Sequence, residues 1–319
     1  MRGFISGDWG TSRLRLRLMR AEPLEVLAKV ESDHGIAMTF AAWQAAGSPA
    51  DREGYFLGVL SLALDQLTQR LPPGLELRGS SLVLSGMASS SIGVRELPYT
   101  SVPFRLRGAA ASVARIRVDQ HSIEVWLVSG VRTDDDVMRG EETILIGLAE
   151  AGHGDGVYLL PGTHSKHVEV RAGTVIGFRT YLTGELYALL CQHSVLRTCL
   201  LPANGPDSAF ERAVEDVGAR EGGSNLLHEF FTLRAANLLG SRTAEENGSR
   251  LSGLLIGTEL RDLIGGTEPI ILAATEPMLS SYLSALRVLG QGDRTRIVSP
   301  DELTLAVARG QMGILTAHQ

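Results

Sequence analysis

The chain opens on an apolar pair, Phe4-Ile5, runs into Asp8, Gly10, Thr11 and Ser12, and then alternates apolar and basic residues from Leu14 to Leu18. A period of two puts successive side chains on opposite faces, so the stretch predicts strand, tight turn, strand. Leu24 to Val30 predicts a third strand, followed by a turn at Ser32 to Ile36. Residues 53–71 carry Tyr55, Phe56, Val59, Leu60, Leu62, Ala63 and Leu67 at helical spacing and stop at Pro72-Pro73-Gly74. Ser81 to Ser85 is a short apolar run that predicts a buried strand, ending in Gly86-Met87-Ala88-Ser89-Ser90-Ser91. Small-residue loops at such strand ends are where α/β proteins place ligands, although composition alone suits a plain connection equally well. Glu124 to Ser129 predicts another strand. Arg139-Gly140-Glu141-Glu142-Thr143 then opens a helix with Ile144, Leu145, Leu148 and Ala149 facing inward.

A loose segment, Gly152 to Gly156, reads as a hinge between halves. After it, Val157 to Val170 repeats the opening design: an apolar strand, the turn Pro161-Gly162-Thr163-His164-Ser165-Lys166, and a second strand. Phe178 to Leu186 leads into a helix reaching Leu190 or as far as Leu200. A loop follows from Pro202 to Asp207, then helices over 208–218, 224–239 and 250–260. Pro269 to Ala273 predicts a strand, Ala274-Thr275-Glu276 a turn, Met278 to Leu289 a helix, Arg296 to Val298 a last strand and Leu303 to Leu315 a closing helix. Alternation of strands with helices predicts an α/β protein. The division expected is 1–150 and 151–319, with the final helix free to pack back on the first half.

Composition narrows the classes. The 319 residues suit two domains of roughly 150 each. With 44% apolar and 21% charged residues, the chain has enough apolar material for a large core. A net charge of -6 argues against a general nucleic-acid binder, whose partner needs a basic surface. Cys191 and Cys199 are the only cysteines, and the predicted helix that separates them argues against a disulfide and for two buried thiols. No apolar run reaches the roughly 20 residues of a membrane helix. With no signal-peptide pattern either, the expected location is cytoplasmic.

Chemistry enters at the two matched turns. Backbone N–H groups and hydroxyls at Gly10, Thr11 and Ser12 suit an anion, whereas Asp8 beside them is negative and meets phosphate only through a divalent cation. A second Gly-Thr turn at Gly162-Thr163 makes a pair, and Lys166 is one of just two lysines in the chain. His164 and His167 are three apart on a strand and face opposite sides, which argues against a shared metal. Asp134-Asp135-Asp136 reads as a solvated loop. Glu141 and Glu142 suit a helix start through the dipole, and a carboxylate held there also suits a general base. The glycines of Ser252-Gly253-Leu254-Leu255-Ile256-Gly257 suit helix–helix packing or a flat ligand.

Asp8-Trp9-Gly10-Thr11-Ser12 with Arg15 resembles the first phosphate motif of the actin–hexokinase–Hsp70 superfamily, and the Gly162-Thr163 turn stands where the second should be. More narrowly, Met138 to Thr143, Pro161 to Lys166, Phe178-Arg179-Thr180 with Thr183-Gly184-Glu185-Leu186, and Ser252 to Gly257 resemble 2-dehydro-3-deoxygalactonokinases. The resemblance runs from about Phe4 to about Leu315. It implies two ribonuclease-H-like lobes around a central cleft, and an ATP- and Mg²⁺-dependent kinase that phosphorylates the 6-hydroxyl of 2-dehydro-3-deoxy-D-galactonate in galactonate breakdown.

The resemblance also implies roles. Asp8 would hold hydrated Mg²⁺, with Gly10, Thr11, Ser12 and Arg15 on the γ-phosphoryl. Gly162, Thr163 and His164 would lie on the β/γ region, with Lys166 either reaching a phosphate or lying on the outer face of its strand, and Gly257, Ala274 and Thr275 toward the adenosine. Related sugar kinases open the matching helix with Gly-Asp, so Gly140-Glu141 makes Glu141 the favoured base and Glu142 the second choice. Capping by both is the reading without chemistry. The sugar acid's carboxylate calls for a guanidinium, from Arg95, Arg139 or Arg179. Gly86, Met87, Ser89 and Ser90 are the candidates for sugar contacts. Leu272-Ala273-Ala274-Thr275-Glu276 departs from the usual glycine-rich adenosine turn, which leaves nucleotide preference open. A kinase for another 2-keto-3-deoxy sugar acid, a phosphohydrolase of the same fold and a non-catalytic sugar-binding protein are the competing classes. The expected partners are ATP and the sugar acid, with no nucleic acid or membrane; a homodimer is compatible with the chain.

Overall fold

The opening alternation forms a hairpin. In a computed structural model of the chain, describing residues 3–202, 205–218 and 223–319, β1 (Phe4–Trp9) pairs antiparallel with β2 (Leu14–Arg20), which pairs antiparallel with β3 (Glu25–Ser32). Next come α1 (Ile36–Ala45), α2 (Arg52–Thr68) and β4 (Ser81–Gly86). They are followed by the two-residue strands β5 (Thr100–Ser101) and β6 (Phe104–Arg105), then β7 (Val113–Val118) and β8 (Ile123–Val128). The short β9 (Val131–Arg132) and β10 (Val137–Met138) lead into α3 (Glu141–Glu150). The chain continues with β11 (Gly156–Leu160), β12 (Ser165–Arg171), β13 (Thr174–Tyr181), α4 (Thr183–His193), α5 (Ser208–Gly218) and α6 (Leu226–Leu238). It closes with α7 (Ala244–Leu260), β14 (Ile270–Leu272), α8 (Met278–Val288), β15 (Thr295–Ile297) and α9 (Pro300–His318).

Two units result. The first comprises Met1–Gly154, Arg171–Gly177 and Asp301–Gln319, and the second Asp155–Val170 and Phe178–Pro300. The division therefore falls at Gly154, close to the expected hinge, and both α9 and the hairpin tip at Arg171–Gly177 group with the first unit.

In the first unit the strand order is β3-β2-β1-β4-β8-β7, with β1, β4 and β8 parallel. α2 covers one face. Asp51 caps it by accepting from the N–H of Gly54 at 2.8 Å, and its buried side, Phe56, Leu60, Leu64 and Leu67, packs on Ile5 and Trp9. Leu62, expected inward, is exposed. α9 returns to the sheet, where the Gln311 amide donates to the Gly7 carbonyl at 2.7 Å and the Ser85 hydroxyl at 2.9 Å. Both faces of β1 are thus covered, which is why Phe4, Ile5 and Trp9 are all buried.

In the second unit the order is β15-β14-β11-β12-β13, again with antiparallel strands on one side of the first strand and parallel ones on the other. Each unit thus has the ribonuclease-H-like order, and the fold is of the actin/hexokinase type. α7 runs longer than its periodicity predicts because a capping box, Thr243 with Glu246, starts it at Ala244. α4 stops at His193 rather than reaching Leu200. Positions 203 and 204 of the expected Pro202–Asp207 loop lie outside the described residues.

Candidate active site

In the first unit three chain segments meet beside Asp8. The β1–β2 turn holds its shape through the Gly10 N–H donating to the Arg13 carbonyl at 2.9 Å. It is braced from behind by the start of α1, where the N–H groups of Ile36 and Ala37 donate to the carbonyls of Gly10 and Thr11 at 3.0 and 3.1 Å. Thr11 and Ser12 are exposed. The carboxylate of Asp8 takes the Arg15 guanidinium at 3.2 Å, and Arg15 is shared with Glu31 at 3.2 Å. Desolvation in this recess raises the Asp8 pKa, and Arg15 pulls it back down.

β4 ends against this acid. Gly86 has φ 88°, and a Cβ there would stand 2.9 Å from the Trp9 carbonyl oxygen and 3.2 Å from Asp8 Oδ1, so only glycine fits. The start of α3 then lies on Gly86: Gly140 has φ 110°, and its Cβ would approach the Gly86 Cα to 3.3 Å. Asp8, Gly86 and the Gly140-Glu141 step therefore converge.

The two glutamates differ sharply. Glu142 is buried, its Oε2 accepting from the Gly140 N–H at 2.7 Å and its Oε1 from the Thr143 hydroxyl at 3.0 Å. Burial, reinforced by the charge of Glu141, pushes its pKa up to about 8. Glu141 is half-buried and accepts from the Arg139 N–H at 2.9 Å.

The three candidate arginines also separate. Arg95 is held by both oxygens of Glu53 at 2.7 and 2.8 Å, and Arg179 is an exposed residue paired with Asp262 at 3.1 Å. Arg139 alone of the three adjoins the converging segments. Its Nη1 donates to the Ser89 hydroxyl and carbonyl, both at 2.6 Å, its guanidinium lies 4.1 Å from the centre of the Tyr99 ring, and its Nε is buried without a partner. The Met87–Ser91 stretch is not a loose loop. Met87–Ser89 forms a 3₁₀ turn, Ser89 and Ser90 are buried, and the Ser90 hydroxyl donates to the Met87 carbonyl at 2.7 Å. Ser90 thus builds the turn and Ser89 holds Arg139, while Met87 is partly exposed.

In the second unit the Gly162–Ser165 turn is docked by the start of α4. A Cβ on Gly184 would come 2.5 Å from the Gly162 carbonyl oxygen, and the Glu185 N–H donates to the Thr163 carbonyl at 2.9 Å. Glu185 also bonds the ring of His164. Thr163 and His164 are exposed, whereas Lys166 is buried with its ammonium 3.3 Å from the His164 carbonyl, tucked beneath the turn. Beside the turn lies a cavity of about 250 Å³ whose wall includes Gly162, Thr183, Gly184 and Tyr282. Ser252 and Ile256 of α7 and Met278 of α8 line it further. Gly257 does not: its missing side chain lets α7 approach Val214 of α5, where a Cβ would meet the Val214 Cα at 2.9 Å. Ala274 lies in the core, and Thr275 is exposed just before α8. The cavity is therefore lined from the first turns of α8 rather than from the turn before it.

The sequence pattern assigned no task to Thr183, Gly184, Glu185 or Glu259. The first three stood within a recognised motif, and their small, hydroxyl and acidic types matched the docking they perform. Glu259 carried no signal beyond an acid on an apolar helix. Among the described residues no three His, Cys, Asp or Glu side chains gather as a metal cage. His164 bonds Glu185 and His167 bonds Glu259.

The family model for 2-keto-3-deoxy-galactonokinase matches residues 8–309. The chain belongs to this family. A 2-dehydro-3-deoxygalactonokinase of Escherichia coli is 31% identical over 297 residues, 90% of each chain. A Rhizobium meliloti protein named probable 2-dehydro-3-deoxygalactonokinase is 32% identical over 312 residues, 95% of this chain and 94% of the other. The crystal structure of a Sinorhizobium meliloti protein provisionally assigned the same activity matches with a TM-score of 0.79 at 29% identity, covering 98% of this chain and 96% of that one. This 2-keto-3-deoxy-galactonokinase family member is thus a carbohydrate kinase, a phosphotransferase that uses ATP.

Proposed function

We propose that the protein transfers the γ-phosphoryl group of ATP to the 6-hydroxyl of 2-dehydro-3-deoxy-D-galactonate, with Glu141 accepting the hydroxyl proton. The observation that carries this reading is the convergence of Asp8, Gly86 and Gly140-Glu141 in the first unit. Glu142 is unsuited to the base role: it is buried, both its oxygens are bonded, and it is protonated near neutral pH. Glu141 is the half-buried carboxylate of the pair, in the Gly140-Glu141 step that lies against Gly86. Arg139 is the proposed partner of the substrate carboxylate, with its unpartnered Nε and its place one residue before Gly140 as support.

Phosphoryl transfer needs positioning and charge neutralisation more than covalent chemistry. The exposed hydroxyls of Thr11 and Ser12 are proposed to hold the transferred group, and Thr163 and His164 the β/γ region, with the cavity of the second unit receiving the nucleoside. Asp8 fits Mg²⁺, which typically takes one or two carboxylates together with substrate phosphates rather than an all-protein cage. Bound there, the ion would neutralise charge on the phosphates. A cytoplasmic role in galactonate breakdown completes the proposal; neither cysteine forms a disulfide, and no described helix is long and apolar enough to cross a membrane.

The test is ³¹P NMR of the product formed from Mg-ATP and 2-dehydro-3-deoxy-D-galactonate. A phosphomonoester coupled to two methylene protons supports the 6-position. A signal coupled to a single methine proton, or inorganic phosphate alone, contradicts it.

A further inference from the structure

We infer that Glu259 is the positioning residue for nucleotide binding in the second unit, acting through the phosphate turn and the cavity wall. The inference rests on the proposal that this cavity receives the nucleoside. Glu259 lies on α7 and is 3% exposed. Three donors surround its carboxylate. The His167 ring Nε2 lies 3.0 Å from Oε1, while the Tyr282 hydroxyl at 2.7 Å and the Thr183 hydroxyl both bond Oε2. A buried carboxylate is costly unless hydrogen-bonded, and this one is bonded on both oxygens.

Each donor leads to the site. Thr183 precedes Gly184, the residue pressed against the Gly162 carbonyl. The Tyr282 hydroxyl also meets the Ser165 hydroxyl at 2.9 Å, and Ser165 in turn accepts from the Gly162 N–H at 3.4 Å. His167 lies on the strand leaving the turn and packs against Tyr181, with ring centres 4.4 Å apart and the rings tilted by 42°. One carboxylate on α7 thus fixes the strand after the turn, the helix start docked on the turn, and the α8 tyrosine that closes the cavity. Thr183 and Tyr282 line that cavity. With Glu259 neutral and apolar, two hydroxyls and a ring N–H lose their common acceptor, and the turn loses its fixed relation to the cavity wall.

The experiment measures Mg-ATP affinity by calorimetry, and KM for ATP and for the sugar acid, in wild-type enzyme and in Glu259→Leu, Glu259→Gln, Thr183→Val and Tyr282→Phe. Glu259→Leu is expected to weaken Mg-ATP by on the order of tenfold or more, with KM for the sugar acid unchanged. Glu259→Gln retains an acceptor oxygen for the two hydroxyls and is expected to restore most of the affinity. Thr183→Val and Tyr282→Phe should each weaken ATP by a few-fold. If Glu259→Leu does not fold, the two single-hydroxyl variants decide. Folded variants that bind Mg-ATP as tightly as wild type overturn the inference, as does equal loss toward ATP and sugar acid, the mark of a merely structural role. Wild-type enzyme with no affinity for Mg-ATP overturns instead the reading of the cavity.

Discussion

Gly184 sits against Gly162: a Cβ on Gly184 would stand 2.5 Å from the Gly162 carbonyl oxygen and 2.8 Å from the Thr163 Cα. The start of α4 is therefore shaped to the Gly162-Thr163 turn, the proposed phosphate turn. Gly184→Ala is expected to push the turn outward, at a cost of about 1–3 kcal/mol for the misplaced contact. In steady-state kinetics this should appear as a KM for ATP raised roughly tenfold or more, with KM for the sugar acid little changed. Unchanged ATP kinetics would mean that the turn does not hold nucleotide.

The two glutamates at the start of α3 should separate in function. Glu141→Gln is expected to bind ATP yet lose turnover by roughly a hundredfold or more. Glu142→Gln keeps the acceptor for the Gly140 N–H and should retain turnover within a few-fold. Near-normal turnover in Glu141→Gln would remove Glu141 from the base role.

Glu142 also predicts a pH dependence of stability. Folded, it stays protonated up to about 8, against an ordinary value of 4.5. Between those values the folded protein binds more protons than the unfolded chain, so stability falls as pH rises, by at most about 1.4 kcal/mol per unit. Urea unfolding across this range should show that slope in the wild type and a flatter profile in Glu142→Gln. The same slope in both would place the proton elsewhere.

Arg139 should govern sugar-acid affinity. Arg139→Ala is expected to raise KM for the sugar acid by about tenfold to a hundredfold, since a charge-assisted bond contributes about 1.5–3 kcal/mol. Arg95→Ala and Arg179→Ala remove residues already paired with Glu53 and Asp262, and should leave that KM within a few-fold. An effect at Arg95 equal to that at Arg139 would reassign the carboxylate site.

What the sequence made legible follows from where its patterns are strong. The β1–β2 hairpin, α2 and the Gly162-Thr163 turn were readable because alternation, helical periodicity and turn residues agreed. α1 was not: only Ile36 and Thr39 of its ten residues are buried, and Gly35 before it makes no side-chain cap. Yet that helix braces the β1–β2 turn, the proposed first phosphate turn. β7 was missed as an edge strand with a mixed burial pattern. At the site, residue types marked the two turns and the Gly140-Glu141 step; the family resemblance favoured Glu141 over Glu142, but nothing in the sequence ranked Arg139, Arg95 and Arg179. Burial and partners separate them, and both are set by contacts distant in the chain. Lys166 left both a phosphate contact and the outer face of its strand open from sequence, and the fold buries it beneath the turn.

The most direct measurement of the central claim is ADP release from Mg-ATP in a coupled assay across a panel of 2-keto-3-deoxy sugar acids. The account predicts release that depends on the added acid and is fastest with 2-dehydro-3-deoxy-D-galactonate. No turnover on any six-carbon member, or ADP release at the same rate without sugar acid, would contradict it.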